Sequence, residues 1–256
     1  MAKLWQKENQ TTDAKIEKFT IGNDPVYDLQ LARYDVLGSL AHITMLEKVG
    51  LLAADELSPL CAELKAIYAK IEAGDFTIED GLEDVHSQIE YLLTQKLGDQ
   101  GKKIHAGRSR NDQVLVACNL YYRDHLKLIK DKTKTLFETL LGLAETYKDK
   151  VLPGYTHLQV AMPSSFGLWF SAYAELMIDD VFLLDAAIKT VDQNPLGSAA
   201  GYGSSFPIDR ELTTKEMGFA TLKYNVVAAQ MGRGKNERTI AAALGGLCNT
   251  LSRFAM

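Results

Sequence analysis

One stretch decides the fold of this chain: residues 111–150 read NDQVLVACNLYYRDHLKLIKDKTKTLFETLLGLAETYKDK. They contain no proline and a single glycine, Gly142, so they can form one helix of roughly 40 residues and roughly 60 Å. Apolar side chains recur along the stretch at the three- and four-residue spacing of a helix. A rod of this length predicts a bundle of long helices.

A second rod is predicted at residues 164–191, where Phe, Trp, Leu and Ala surround the helix axis. A helix that is apolar on most sides is buried on most sides. Shorter helices are predicted at residues 24–50, 58–74 and 85–98, each beginning or ending at proline or glycine, and a last helix at residues 236–256. Strand signals are almost absent.

These elements predict an all-α fold in two parts. Residues 1–104 form a small helical N-terminal domain, and residues 105–256 form part of a central domain of long, bundled helices. Long apolar rods need partner helices to cover them, so we expect an oligomer. The last helix stops at Met256 without glycine, proline or a polar cap, and we therefore expect the bundle to be truncated there.

Composition excludes several classes of protein. The 256 residues are 46% hydrophobic and 24% charged, which is ordinary for a globular protein. The net charge of -5 gives no general reason to bind nucleic acid or an anionic membrane, and no apolar run approaches a bilayer span of roughly 20 residues. Cys61, Cys118 and Cys248 are far apart and suggest neither disulfides nor a zinc cluster, so we expect a cytoplasmic protein without a metal site.

A polar loop precedes the first rod. Residues 105–113 read HAGRSRNDQ and lie where backbone N–H groups and the helix dipole favour an anion. Arg108 and Arg110 can bind a carboxylate through two hydrogen bonds each, and Asn111 can donate and accept. The alternative is an elaborate helix cap with two solvated arginines, and the spacing alone does not decide between the two interpretations.

A second polar loop precedes the second rod. Residues 153–159 read PGYTHLQ and present Thr156, His157 and Gln159 beside a proline-glycine turn. Histidine has a pKa suited to proton transfer near neutrality, although a lone histidine is more often structural. His86 and Glu90 have a spacing that can hold a metal, but one such pair without further ligands is more often an ordinary contact.

In order, these motifs resemble those of argininosuccinate lyases, within the fumarase/aspartase superfamily. The resemblance covers nearly the whole chain. It is carried by residues 82–86 (LEDVH), 105–114 (HAGRSRNDQV), 153–159 (PGYTHLQ), 195–198 (PLGS) and 208–211 (IDRE).

The resemblance implies reversible elimination of argininosuccinate to arginine and fumarate, without metal or organic cofactor. It also implies a homotetramer in which three subunits assemble each active site. Removal of a weakly acidic proton beside a carboxylate produces a dianionic intermediate. Such chemistry needs preorganised donors, a base for carbon and an acid for the departing nitrogen.

The residue roles implied by the resemblance follow the motifs. His157 is implied as an acid/base group. Substrate binding is implied for Asn111, Thr156, Ser109, Arg110 and Gln159. Supporting roles are implied for His86, His105, Arg108 and Arg238. A plain helix-surface arginine is an equal alternative for Arg238.

The chain departs from the family pattern in three places. Residues 5–9 read WQKEN where the family commonly has WGGRF, and a substrate-binding serine position falls at Gly22. The family's signature loop, which carries a catalytic serine, would lie beyond Met256, so we expect little turnover from these 256 residues alone. Two other functions stay open: a crystallin-like structural relative without activity, and another fumarate-releasing lyase of the superfamily.

Overall fold

The computed structural model describes residues 14–256, and the departure at residues 5–9 lies outside them. The α-helices are α1 (Ala14–Ile21), α2 (Asp24–Tyr27), α3 (Ala32–Lys48), α4 (Ala54–Ala73), α5 (Val85–Leu97), α6 (Asp99–Lys102), α7 (Arg110–Thr146), α8 (Phe166–Val191), α9 (Arg210–Glu216), α10 (Val226–Met231) and α11 (Lys235–Ala255). The 3-10 helices are η1 (Asp28–Leu31) and η2 (Lys103–His105). The strands are β1 (Val151–Thr156), β2 (Gln159–Ser165), β3 (Gln193–Asn194) and β4 (Thr221–Leu222). Helices dominate, so the all-α prediction is confirmed.

Both long rods are present. The prediction for residues 111–150 is confirmed by α7, a single helix of 37 residues. The predictions for residues 164–191 and 236–256 are confirmed by α8, of 26 residues, and α11, of 21 residues. Apolar residues at continuous helical spacing, without an internal proline, were therefore sufficient to predict all three helices.

The predicted single helix at residues 24–50 is wrong in its first third. α2 and η1 come before the continuous helix α3, and neither of these two short segments has a buried residue. The apolar face enters the core only from Ala32 and Val36 onward. A regular helix gains most of its stability from such packing, so the first turns, which lack it, take a less regular form.

The start predicted for the second helix at Ser58-Pro59 is also wrong. α4 begins at Ala54, where the Glu56 side chain accepts a hydrogen bond from the backbone N–H of Ala53, at 3.2 Å. Pro59 therefore lies inside the helix, where it leaves the carbonyl of the exposed Asp55 without its usual helical donor. Solvent can hydrate that carbonyl, which explains why the proline does not break the helix.

Strands are present where the sequence indicated only turns. β1 and β2 form an antiparallel hairpin with an irregularity between Gly154 and Tyr155. β3 and β4 form a two-residue parallel pair. The expectation that strands are almost absent is therefore wrong at residues 151–165, although these sheets remain small beside the helices.

The described residues divide into two compact units. Unit 1 contains the residues up to Tyr121 together with Asp192–Gly232, and its main core lies among α3, α4 and α5. Unit 2 contains Tyr122–Val191 and Arg233–Met256, and its core lies among α7, α8 and α11. The domain boundary expected between residues 104 and 105 stays a prediction. Within residues 14–256, no helix combines the length and the apolar character needed to cross a membrane.

Candidate active site

The start of α7 gathers the polar residues of the first motif in unit 1. The backbone N–H of Ser109 donates to Asp112 Oδ1 at 2.9 Å, which caps the helix from within its first turn. The Asn111 amide donates to Ser109 Oγ at 3.2 Å, and the Asn111 side chain is exposed. Ser109 and Asn111 therefore lie beside a helix N-terminus, which favours a negatively charged ligand.

Asp112 joins two of the motif segments. Its carboxylate is fully buried, and its Oδ2 accepts hydrogen bonds from the backbone N–H groups of Gly197 and Ala199, each at 2.9 Å. Burial raises the pKa of Asp112, while the hydrogen bond from Ser109 acts in the opposite direction. The sequence interpretation gave this residue no role, although an aspartate three residues after Ser109 is a signal for the local bond to the Ser109 N–H.

Arg110 connects α7 to α5. Its guanidinium donates to Gln113 Oε1 at 3.2 Å and to Ser87 Oγ at 3.3 Å. Carboxylate oxygens of Asp84 and Glu90 lie 3.6 and 3.7 Å from its nitrogens. Arg110 is thus held by the LEDVH segment and by α5, and Glu90 faces this arginine.

Arg108 points into the interior of unit 1. Its side chain is 7% exposed and donates from Nη1 to Ser39 Oγ at 3.1 Å, so the alternative of two solvated arginines is wrong for this residue. His42 Nε2 lies 2.8 Å from the carbonyl of Ala106, and this places its proton on Nε2. Burial first, and the charge of Arg108 second, lower the pKa of His42 to about 3 and that of His105 to about 4.

His86 has a buried carboxylate partner. His86 Nδ1 lies 2.8 Å from Asp35 Oδ1, and each side chain is 1% exposed. The amide of Gln113 donates to the same oxygen at 2.8 Å. Burial alone would raise the pKa of Asp35, but His86, Arg108 and Gln113 outweigh it and lower that pKa to about 2. Asp35, Gln113 and His42 are further polar residues of this region to which the sequence interpretation gave no role.

The second motif forms the tip of the β1–β2 hairpin in unit 2. Thr156 pairs with Gln159, and His157 and Leu158 form the two-residue turn between them. Their φ angles are 54° and 63°, the left-handed values of a tight hairpin turn that usually selects asparagine or glycine. Thr156, His157 and Gln159 are all exposed.

A cleft of about 580 Å³ lies at the base of the same hairpin. Its lining is mostly apolar and includes Pro153, Tyr155, Phe166 and Trp169. Thr156, His157 and Gln159 are not among the lining residues, so the cleft and the polar tip are separate features of unit 2. Arg238 also belongs to this unit, where it lies exposed in the first turn of α11.

The expected site residues therefore fall into two groups. Unit 1 contains His86, His105, Arg108, Ser109, Arg110 and Asn111. Unit 2 contains Thr156, His157, Gln159 and Arg238. Gly22 lies exposed between α1 and α2. Within residues 14–256, no group of three or more His, Cys, Asp or Glu side chains has an arrangement that can hold a metal ion.

Several known proteins are similar to this chain. The argininosuccinate lyase of Phocaeicola vulgatus is 60% identical over 253 residues, covering 99% of this chain and 56% of that enzyme. The argininosuccinate lyase of Stenotrophomonas maltophilia is 42% identical over 252 residues, covering 98% of this chain and 58% of that enzyme. The chain thus spans little more than half the length of the curated relatives it matches.

Solved structures share the fold. An EDDS lyase variant with bound fumarate superposes with a TM-score of 0.80 at 23% identity, covering 96% of this chain and 49% of that one. A beta-carboxy-cis,cis-muconate cycloisomerase from Acinetobacter calcoaceticus superposes with a TM-score of 0.70 at 21% identity, covering 94% of this chain and 56% of that one. The model of the family described as "Lyase" matches residues 6–256. The chain belongs to this lyase family.

Proposed function

We propose that this sequence belongs to an argininosuccinate lyase, which catalyses the reversible elimination of argininosuccinate to L-arginine and fumarate. The observation that carries the proposal is the 60% identity with the Phocaeicola vulgatus enzyme over nearly the whole chain. The organisation of the motif residues supports it, because polar side chains cluster at a helix start in unit 1 and at a hairpin tip in unit 2.

In this proposal the start of α7 holds the anionic part of the substrate. Ser109 and Asn111 lie at the helix N-terminus, where hydrogen-bond donors and the helix dipole stabilise negative charge that develops on a carboxylate. Arg110 adds a positive charge that Asp84 and Glu90 hold in place. His105 and Arg108 support the conformation of this loop.

His157 is the proposed acid/base group, with Thr156 and Gln159 binding substrate beside it. The backbone conformation at this hairpin tip supports the proposed role, in addition to the motif. Left-handed conformations of non-glycine residues cost of order 1–3 kcal/mol each and concentrate at functional sites. His157 and Leu158 both adopt them at the hairpin tip, where asparagine and glycine would fit with less strain.

We also propose that the protein is a cytoplasmic homotetramer. The long helices of unit 2 expose large apolar side chains, which supports association with further copies of the chain. Leu128, Leu176, Ile178, Phe182 and Leu183 are each between 43% and 65% exposed. Contiguous exposed apolar patches mark surfaces of association in folded proteins. In the proposed tetramer, Arg238 lies near such an interface and supports the site from there.

The test is fumarate release from argininosuccinate, followed by ultraviolet absorbance. The 256-residue chain and the same reading frame carried to its stop codon are measured side by side, with circular dichroism as a control for folding. We expect release from the extended product and little from the 256 residues alone. Absence of release from a folded extended product would contradict the proposed function.

Two alternatives are separated by the same assay. A crystallin-like relative without activity would fold and associate but release no fumarate from any amine adduct. Another fumarate-releasing lyase would be inactive on argininosuccinate and active on a different substrate such as adenylosuccinate. A likeness to an EDDS lyase with bound fumarate at 23% identity concerns the fold alone and does not favour the second alternative.

A further inference from the structure

The histidine of the LEDVH motif in unit 1 has a buried acidic partner. Asp35 in α3 and His86 in α5 meet through Oδ1 and Nδ1 at 2.8 Å, and both side chains are almost fully buried. Their elements otherwise pack through apolar residues such as Val36 and Ile89. Replacing a buried ion pair by apolar residues is often neutral or stabilising, so packing alone gives no reason for this pair.

The contact determines which nitrogen of His86 carries the proton. Asp35 accepts a hydrogen bond from Gln113, and the charge of Arg108 favours its ionised form. At 2.8 Å a lone pair on Nδ1 would face, and be repelled by, the ionised carboxylate oxygen, so the imidazole carries a proton on Nδ1. Nε2 is the ring nitrogen that this contact leaves for other partners.

His86 lies next in sequence to a residue that contacts the proposed substrate loop. The next residue, Ser87, accepts a hydrogen bond from Arg110, whose backbone lies between Ser109 and Asn111. Asp28 lies close enough for the charge of His86 to act on its carboxyl, although burial has the larger effect and raises the pKa of Asp28. His86 thus stands between an interior carboxylate and the polar start of α7.

We propose, on the basis of the proposed lyase activity, that Asp35 is a positioning residue for His86. It fixes the imidazole in the Nδ1–H form and in one orientation, so that Nε2 serves as the hydrogen-bonding group towards the site. The arrangement follows the general logic by which a buried carboxylate orients a histidine for proton transfer. Asp35 itself does not contact the substrate.

A double-mutant cycle in the extended reading frame tests this role. Asp35→Asn keeps the shape and an oxygen acceptor but removes the charge that fixes the tautomer. His86→Asn keeps a nitrogen near the position of Nδ1 and removes Nε2. We expect Asp35→Asn to lower kcat by about tenfold to a hundredfold with KM changed less than about twofold, the size of loss found when the partner that orients a histidine is removed.

The double variant decides between positioning and general structure. If Asp35 acts through His86, the double variant has the same kcat as His86→Asn alone, because nothing is left to position. Multiplied effects of the two substitutions would overturn the proposal. Ser39→Ala is the matched control, since it disturbs the same polar cluster at Arg108 without touching the pair. An equal loss of kcat in this control would also overturn the proposal.

A spectroscopic measurement separates failure of this proposal from failure of the proposed function. In the 256-residue chain labelled with ¹⁵N-histidine, the ring shifts of His86 report the tautomer, and His86→Asn assigns the signals. We expect Nδ1–H in the wild-type chain and a changed pattern in Asp35→Asn. A wild-type ring protonated on Nε2 alone would refute the positioning role, whether or not the extended protein turns over argininosuccinate.

Discussion

Replacing Asp112 should loosen the connection between two motif segments of unit 1. Its Oδ1 accepts from Ser109, and its Oδ2 accepts from Gly197 and Ala199, each at 2.9 Å. Asparagine has nearly the same shape but one oxygen and one NH₂ group. Whichever way it is turned, the NH₂ group faces at least one backbone N–H, so at least one hydrogen bond is lost and two donors oppose each other.

The magnitude follows from the number of bonds lost. A hydrogen bond to a charged acceptor contributes about 1.5–3 kcal/mol, and a buried donor left unpaired costs about 1–3 kcal/mol. The raised pKa of Asp112 shows that burial of its charge has an unfavourable effect, which the neutral residue removes. We expect Asp112→Asn to lower local stability by about 2 kcal/mol and Asp112→Ala, which loses all three bonds, by about 4 kcal/mol.

Hydrogen exchange measured by mass spectrometry gives the local reading that this prediction needs, because it reports the opening of individual segments. A loss of about 2 kcal/mol corresponds to about thirtyfold faster exchange. The increase should be confined to peptides covering residues 105–113 and 195–199. Asp99→Asn, which removes an exposed carboxylate paired with Lys102, is the control and should leave those peptides unchanged. Unchanged exchange in Asp112→Asn would refute the bridging role.

Three further predictions concern packing, pH and turnover. Gly101→Ala should lower the free energy of unfolding by about 3 kcal/mol in urea titrations, since a Cβ there would lie 2.5 Å from the backbone of Leu93. Gly142 occupies an open helical position, so Gly142→Ala should raise the free energy of unfolding by up to about 1 kcal/mol. The pKa of His42 is lowered on folding, so the unfolded state binds its proton first as the pH falls. His42 alone should therefore lower stability by up to about 1.4 kcal/mol per pH unit from 6.5 towards 3, and His42→Gln should remove this part of the pH dependence in the same titrations. His157→Asn should abolish fumarate release by the extended protein without changing its circular dichroism or oligomer size; retained release would remove its acid/base role.

The long helices were predictable because their signals are local. Helical spacing of apolar residues and the absence of proline are properties of the stretch itself, and α7 and α8 follow from them within a few residues. The beginning of α3 was not predictable in the same way. Whether a helix continues through residues 24–31 depends on burial against the rest of unit 1, which the stretch does not contain.

The hairpin was missed because two residues in it argue against strands. Pro153 and Pro163 each lack a ladder donor, which normally demotes a run to a turn or an edge. In the structure they lie opposite each other in the register of β1 and β2, so their missing donors coincide. The turn also uses His157 and Leu158 where asparagine and glycine would be the recognisable signal. Register between two segments is a pairwise property that neither segment reveals alone.

Side-chain direction decides which residues of the HAGRSRNDQ motif can touch a substrate. Arg108, Asp112 and Gln113 are buried, while Asn111 is exposed and Ser109 is partly so. The buried members bond to Ser39, to the segment at residues 197–199 and to Asp35, and these partners are 69 to 87 residues away in sequence. The motif contains buried and exposed residues, and its sequence does not distinguish them. The direction of each side chain depends on the helix start at Arg110, and its burial depends on partners distant in sequence. The residues that form the framework of the site therefore had to be found from contacts, and Asp35, which belongs to no motif of the chain, was found only in that way.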